Sequence, residues 1–310
     1  MELESTSPIT RVLSLDGGGA KGFYTLGILK EIEGLAGSPL CDRFELVFGT
    51  STGAIIAALL ALGKTVDEIH DLYRDHVPSI MRAGTAAGKS AALKRLAETV
   101  FSDLKFDAFR TGIGIVATHW QLEKPLIFKA SVAQAHGRHG TFQPGFGCTI
   151  ADAIQASCAA YPFFERPVLK TGKGELVEAL DGGYCANNPT LYVIADAVMA
   201  LKKRAEDLRV VSLGVGHYPE PKYRWFGALI RQLKSVQLLQ KTLNVNTASM
   251  EQLRLVLFKQ VPTIRISDAF TQPEMATDLM ESNLAKLNIL YQRGRESFAT
   301  REAELKNFLL

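Results

Sequence analysis

Two short stretches of this chain set chemically capable residues beside bare backbone. Residues 13–22 read LSLDGGGAKG and residues 49–53 read GTSTG. Three consecutive glycines, Gly17, Gly18 and Gly19, are costly to order, so something must approach the main chain there. Three occupants come into question: a phosphate, a dinucleotide, or the oxygen of a reacting ester. A phosphate loop of the Walker type needs Ser or Thr after Gly-Lys, and here Gly22 follows Lys21. Gly17, Gly19 and Gly22 do match GxGxxG, but a dinucleotide fold wants an acid at the end of its second strand. Asp42 stands before that strand, not after it.

The ester reading gains from the second stretch. GTSTG fits GxSxG, in which a serine sits on a sharp turn between a strand and a helix. Gly49 and Gly53 keep the turn open around Ser51, and the helix expected from Ala54 points its positive end at developing charge. The amides of Gly17, Gly18 and Gly19 then have a task as oxyanion donors, each worth roughly 10²–10³ in rate. A serine hydroxyl also needs a base. His217 in GVGHYPEP would follow Asp181 in the Ser–acid–His order of α/β-hydrolases. His70 and His76 lie in a polar helical stretch and read as solvated. Asp181 itself, in ALDGGYCANNP, stands at a strand end before Gly182 and Gly183. An Asp-Gly turn has that composition too, yet a carboxylate so placed can take the serine proton directly. The residues alone leave Asp181 and His217 both open.

The elements that must position these groups follow from patterning. Val12–Leu15 and Phe44–Phe48 read as buried strands, each leading into a glycine turn and a helix. Phe23–Leu35, Val66–Val77 and Ser90–Phe101 have helical spacing. Ile113–Ala117, Leu126–Phe128, Leu176–Leu180 and Arg209–Leu213 read as strands. Ala151–Ala159 reads as a helix stopped by YPFFERP. NNPT opens another, with Asn188 as N-cap and Pro189 first in the helix. The last third is mostly helical, broken by TIRIS. Strands alternating with helices point to an α/β layer fold with a mostly parallel central sheet.

Bulk properties narrow the classes. The chain has 310 residues, of which 47% are apolar, enough for one large domain spanning 1–310. A net charge of +3 argues against a nucleic-acid polymer as partner. Cys41, Cys148, Cys158 and Cys185 show no CxxC and no metal spacing, and read as buried thiols in a reducing cytoplasm. No signal peptide opens the chain, and its longest apolar run, AIIAALLAL, falls short of the about 20 residues of a spanning helix. The expectation is a cytoplasmic protein.

DGGGAKG, GTSTG and DGGYCANNP, in this order, resemble the patatin-like phospholipases. That resemblance implies a patatin-like three-layer fold and a Ser51–Asp181 dyad without histidine. It also implies oxyanion donors at Gly17, Gly18 and Gly19. Asp16, Lys21, Gly22, Gly49, Gly53, Gly182 and Gly183 support the motifs, Lys21 standing where many members have arginine. The implied activity is phospholipase A type hydrolysis of membrane glycerophospholipids at the bilayer surface, peripheral to the inner membrane, with no metal or cofactor in the chemistry.

Further stretches, GIGIVATHW, QAHGRHGTFQPGFG, QASCAAYPFFERP and PTIRISDAFTQPEMATDL, are similar to the CapV-type bacterial anti-phage effectors. That likeness implies activation by a cyclic dinucleotide, cGAMP-like in kind, and leaves a homo-oligomer open. His119, Trp120, Arg138 and His139 are candidate contacts for such a nucleotide, in a stretch that also holds Lys129, His136 and Phe142, since guanidinium suits phosphate and flat rings suit bases. Two alternatives remain: a constitutive triad esterase using His217, and a nucleotide-binding sensor with a passive site. Separately, KYRWFGALIRQLKSVQLLQK places Trp225, Phe226, Leu229, Ile230, Leu233 and Val236 at helical spacing among basic residues, the pattern of a helix lying on anionic lipid.

Overall fold

A computed structural model describes residues 8–221 and 234–310. The strands are β1 (Thr10–Leu15), β2 (Leu46–Thr50), β3 (Gly112–His119), β4 (Lys124–Lys129), β5 (Val168–Lys170), β6 (Leu176–Asp181), β7 (Leu208–Leu213) and β8 (Thr263–Ile266). They form one sheet in the order β5-β6-β3-β2-β1-β7-β8, with β4 paired to β3. The stretch β3-β2-β1-β7-β8 is parallel. β4 and β6 run antiparallel to β3, and β5 antiparallel to β6. The expected parallel sheet is therefore the middle and one edge, finished at the other edge by antiparallel pairs.

Alternation within the strands sorts side chains to two cores. Leu13, Leu15, Val47, Ile113, Ile115, Val211 and Leu213 enter the larger one. Val12, Leu46, Phe48, Val116, Leu208 and Val210 enter the smaller one on the opposite face. Helices α1 (Gly22–Ala36), α2 (Leu40–Arg43), α3 (Thr52–Ala61), α4 (Val66–Arg82), α5 (Ala86–Phe101) and α6 (Ile150–Ser157) contribute to the first core. The short α7 (Gly183–Ala186) and α8 (Thr190–Ala195) contribute to the second. This is the three-layer arrangement. Each side chain fully buried between the layers stabilises by roughly 1.5–3 kcal/mol. α9 (Lys234–Leu257), α10 (Leu284–Ala299) and α11 (Glu302–Leu309) complete the described helices.

α3, TGAIIAALLA, is apolar on nearly every side and nearly every side is buried, so its axis is held firmly and its N-terminus stays aimed at one point. α4 starts with a capping box between Thr65 and Glu68 and continues past Pro78 to Arg82. Helical spacing predicts Val66–Val77, and the helix runs on through Pro78 although proline removes a hydrogen bond. Val77, Pro78 and Ile80 are buried, and that packing carries the last turn. α8 begins one residue later than expected: Asn188 does cap, its Oδ1 accepting the Thr190 N–H at 3.0 Å, but Pro189 precedes the helix. His70 is not a solvated residue. Its ring packs against Phe23 and Tyr291, with centroids 5.7 and 4.3 Å away. Residues 222–233 of the basic amphipathic stretch lie outside the described residues.

Candidate active site

The site forms where β3 changes partner. Along one edge of β3, Val116 is the register partner of Thr50, the last residue of β2. The next residue, Ala117, is the partner of Asp181, the last residue of β6. β2 runs parallel to β3 and β6 antiparallel, so the two strands deliver their C-terminal ends to one point. Ser51 follows β2 directly and Asp181 closes β6. Ser51 and Asp181 line one cavity there, with the Ser51 hydroxyl near enough to the Asp181 carboxylate to favour its charged form.

The backbone at this point is tight. Ser51 has φ 53° and ψ −123°, a conformation that costs a non-glycine residue about 1–3 kcal/mol. It is held there by its own N–H, which donates to Ser157 Oγ at 2.9 Å, while Ser157 Oγ donates to the Val116 carbonyl at 2.5 Å. The elbow leaves no room at its flanks: a Cβ on Gly49 would lie 2.2 Å from the Gly53 carbonyl oxygen, and one on Gly53 2.3 Å from that of Leu15. Thr52 is pinned behind the serine by Tyr73, whose OH donates to the Thr52 carbonyl at 2.8 Å.

Asp181 is buried. Burial pushes its carboxyl up to about 7, against the opposing pull of the Gly183 N–H and the Ser51 hydroxyl. The Gly183 N–H donates to Asp181 Oδ1 at 2.7 Å, and Thr118 Oγ1 donates to the Asp181 carbonyl at 3.0 Å. Cys158 lines the same cavity, and burial pushes its thiol well above the usual range.

The glycine loop crosses above this pair. Gly17 N–H is engaged, donating to the Asn187 carbonyl at 3.0 Å. Asn187 returns a bond from Nδ2 to the Gly17 carbonyl at 3.3 Å and is itself braced from α9, by Asn246 Oδ1 and Thr247 Oγ1, both at 2.8 Å. Thus the loop spares two amides rather than three: Gly18 N–H and Gly19 N–H meet no acceptor among the described residues. Gly18 and Gly19 both border the cavity that holds Ser51 and Asp181. Gly19 has φ +58°, and a Cβ there would lie 2.3 Å from the Leu279 carbonyl oxygen, which already accepts the Ala20 N–H at 2.9 Å.

Beneath the loop, Asp16 is paired with Arg265, whose Nη1 reaches Asp16 Oδ1 at 2.8 Å and Ser212 Oγ at 2.8 Å. Burial raises the Asp16 carboxyl while the guanidinium opposes it. Sequence reading named neither Arg265, Asn187, Ser157 nor Leu279 as part of the site. Arg265 could have been found, as a cation inside the apolar alternation of TIRIS. The other three have no local signal.

Two chambers meet at the loop. The first, about 80 Å³, runs from Ser51 between α3, α4, α5 and α6, walled by Leu72, Val77, Leu93, Leu96, Phe101 and Ile154. Its apolar wall suits a hydrocarbon chain. The second, about 350 Å³, is polar and lies on the other side of Gly17 and Gly18. His217 and Lys21 line the second chamber and not the first. His217 is bridged by its backbone to Ala269, and partial desolvation of its ring, together with Lys21 and Arg265, holds its imidazole below the usual range.

The nucleotide candidates are not brought together. His119 and Trp120 stand at the tip of the β3–β4 hairpin, where the Arg166 guanidinium covers the Trp120 ring at 4.4 Å. Arg138 and His139 follow the opposite end of that hairpin, whose paired part spans about 17 Å. They are exposed. Lys129 and His136 are both committed to Asp196, each at 2.6 Å. A ligand held by all four candidates has no common surface here, because the hairpin separates residues that are close in sequence.

Comparison with known proteins adds the following. The patatin-like phospholipase family profile matches residues 13–194. The chain is 64% identical over 302 residues to a cUMP-AMP-activated phospholipase of Escherichia coli, covering 97% of this chain and 94% of that protein. It is 27% identical over 347 residues to a cGAMP-activated phospholipase of Escherichia coli (strain TW11681), covering 98% and 93%. It is 25% identical over 228 residues to the calcium-independent phospholipase A2-gamma of Mus musculus, covering 67% of this chain and 28% of that protein.

Proposed function

This chain belongs to the patatin-like phospholipase family, and from that premise we propose that it hydrolyses the acyl esters of membrane glycerophospholipids with Ser51 as nucleophile and Asp181 as base. The observation that carries the reading is the end-to-end meeting of β2 and β6, which brings Ser51 beside Asp181 in the lining of an apolar chamber. With the acyl chain in that chamber, Ser51 Oγ attacks the ester carbonyl and its proton passes to Asp181. The tetrahedral oxygen takes charge beneath the Gly18 and Gly19 amides and the N-terminus of α3. Collapse expels the lysolipid alkoxide, which takes the proton from Asp181 and leaves an acyl-serine. Water, giving its proton to Asp181, then releases the fatty acid and Ser51 regains its hydrogen. The test is release of free fatty acid from mixed phospholipid vesicles. Absence of release under every activating condition would overturn the reading.

Because the base works only when ionised, the rate follows deprotonation of Asp181. Turnover should rise with pH through a limb near 7, with about tenfold lost per unit below it. A rate flat between pH 5 and 8 would contradict a buried carboxylate as base.

His217→Ala separates this reading from the triad. His217 stands in the polar chamber on the far side of the loop, so the variant should keep at least about half of wild-type turnover. A loss approaching that of Ser51→Ala would establish the triad instead.

The activity is switched on by a cyclic dinucleotide. The support is the activity of the relatives and a physical need: a phospholipase open at all times would degrade the membrane of its own cell. Activation then requires the ligand to bind the open state more tightly than the closed one. At 64% identity against 27%, the cUMP-AMP-activated relative is the nearer guide, so cyclic UMP-AMP should activate at lower concentration than cGAMP. Equal, high activity with and without every nucleotide would defeat the switch.

No helix among the described residues is long and apolar enough to cross a membrane.

A further inference from the structure

The second chamber has neither Ser51 nor Asp181 in its lining, yet its wall is mostly polar. Thr277 is 6% exposed, and its Oγ1 meets no hydrogen-bond partner among the described residues. The Tyr218 OH is likewise buried and unpartnered, while its ring is fixed by stacking on Phe270 at 5.2 Å. Both residues line this chamber. A buried hydroxyl without a partner destabilises a fold by roughly 1–3 kcal/mol. Two of them on residues that wall one cavity leave groups that a ligand shifting that wall slightly would satisfy. Lys21 lines the same cavity, where the carboxylates of Asp278 and Asp16 favour its charged ammonium against the burial that opposes it. Gln240 and Asn244 of α9 add amide groups to the wall. At about 350 Å³ the chamber falls in the range of small-molecule sites.

Resting on the reading that a cyclic dinucleotide activates this chain, we propose that the activator binds in this chamber, a phosphate facing Lys21 and its sugar or base edges meeting Tyr218, Thr277 and the α9 amides. The location explains how binding reaches the reaction. Gly17 and Gly18 form part of the chamber's lining, and the same loop brings Gly18 and Gly19 to the border of the cavity that holds Ser51. Thr277 stands two residues before Leu279, whose carbonyl holds the Ala20 N–H at 2.9 Å and closes on Gly19. A ligand that fastens Thr277 therefore fastens the strap that sets the two free amides. Leu243 and Asn187 line both chambers, so α9 is engaged from the same side. The bound ligand favours the state in which the oxyanion site is formed.

The test uses cyclic UMP-AMP as the probe, titrated by calorimetry into wild type, Thr277→Val, Tyr218→Phe, the double variant, Ser51→Ala and Arg138→Ala. Each hydroxyl lost should weaken binding about fivefold and both together about twentyfold. The melting temperature of the ligand-free protein should stay level or rise, because an unsatisfied hydroxyl has been removed. Ser51→Ala and Arg138→Ala should bind as wild type does. Unchanged affinity in the double variant would overturn the proposal. So would unchanged affinity accompanied by a higher KM for phospholipid but not for a neutral soluble ester, which would make the chamber a lipid head-group site. If wild type binds neither cyclic UMP-AMP nor cGAMP, activation by a cyclic dinucleotide itself fails and this site falls with it.

Discussion

Ser51→Ala and Asp181→Asn are each expected to lower activated phospholipid turnover by on the order of 10⁴-fold or more, and the double variant to be no worse than either alone. The reason is that the two groups act as one unit. Without the hydroxyl the carboxylate has no proton to take, and without the carboxylate the hydroxyl is not deprotonated. Residues coupled in this way give strongly non-additive losses. Fatty-acid release from vesicles, with circular dichroism to confirm the fold, measures both. Asp181→Asn carries an independent check in stability. The Asp181 carboxyl is raised in the fold to about 7, against about 3.9 in an unfolded chain. Stability from this residue is complete below about pH 4, falls as pH rises, and is fully lost above about 7. The asparagine variant should therefore melt no lower than wild type at pH 8 while being inactive. Losses that multiply in the double variant would show that Ser51 and Asp181 act separately, and substantial turnover in folded Ser51→Ala would remove the serine mechanism.

Gly19→Ala is expected to cost roughly 10²–10³ in kcat, the usual loss for an oxyanion donor, with little change in KM. The added methyl would lie 2.3 Å from the Leu279 carbonyl oxygen, and φ +58° is a conformation alanine rarely adopts. The loop must shift, and its amide leaves the position facing the tetrahedral oxygen. Gly34→Ala in α1 serves as the control, since a Cβ there meets nothing within 4 Å and the substitution favours helix. Gly34→Ala should be as active as wild type. Full activity in Gly19→Ala would mean that the oxyanion is held elsewhere.

Much of this arrangement was legible in the residues themselves. GTSTG demanded a turn too tight for side chains at Gly49 and Gly53, and the carbonyls of Gly53 and Leu15 do occupy that space. The apolar runs marked β1, β2, β3 and β7 because alternate residues had to fill two cores. Hydrophobic pattern and backbone sterics are local properties, and a sequence states them directly. The same patterning was silent where local rules were overruled. The last turn of α4 survives Pro78 because distant residues pack on it, and β5, three residues long, exists only because β6 offers it an edge.

The sequence by itself determined which groups could react: a serine on a strained elbow, a carboxylate at a strand end, and glycines with amides to spare. Residue types and chain order left both Asp181 and His217 open as bases, and only the resemblance of the motifs favoured Asp181. Tertiary structure decided between their positions. β3 exchanges β2 for β6 between Val116 and Ala117, which brings Asp181 onto Ser51, while the glycine loop leaves His217 in the other chamber. It also decided that Gly17 N–H serves Asn187 and that Leu279 sets Gly19. These are contacts between segments more than a hundred residues apart. Their geometry depends on sheet order and register, which arise only when the whole chain has packed.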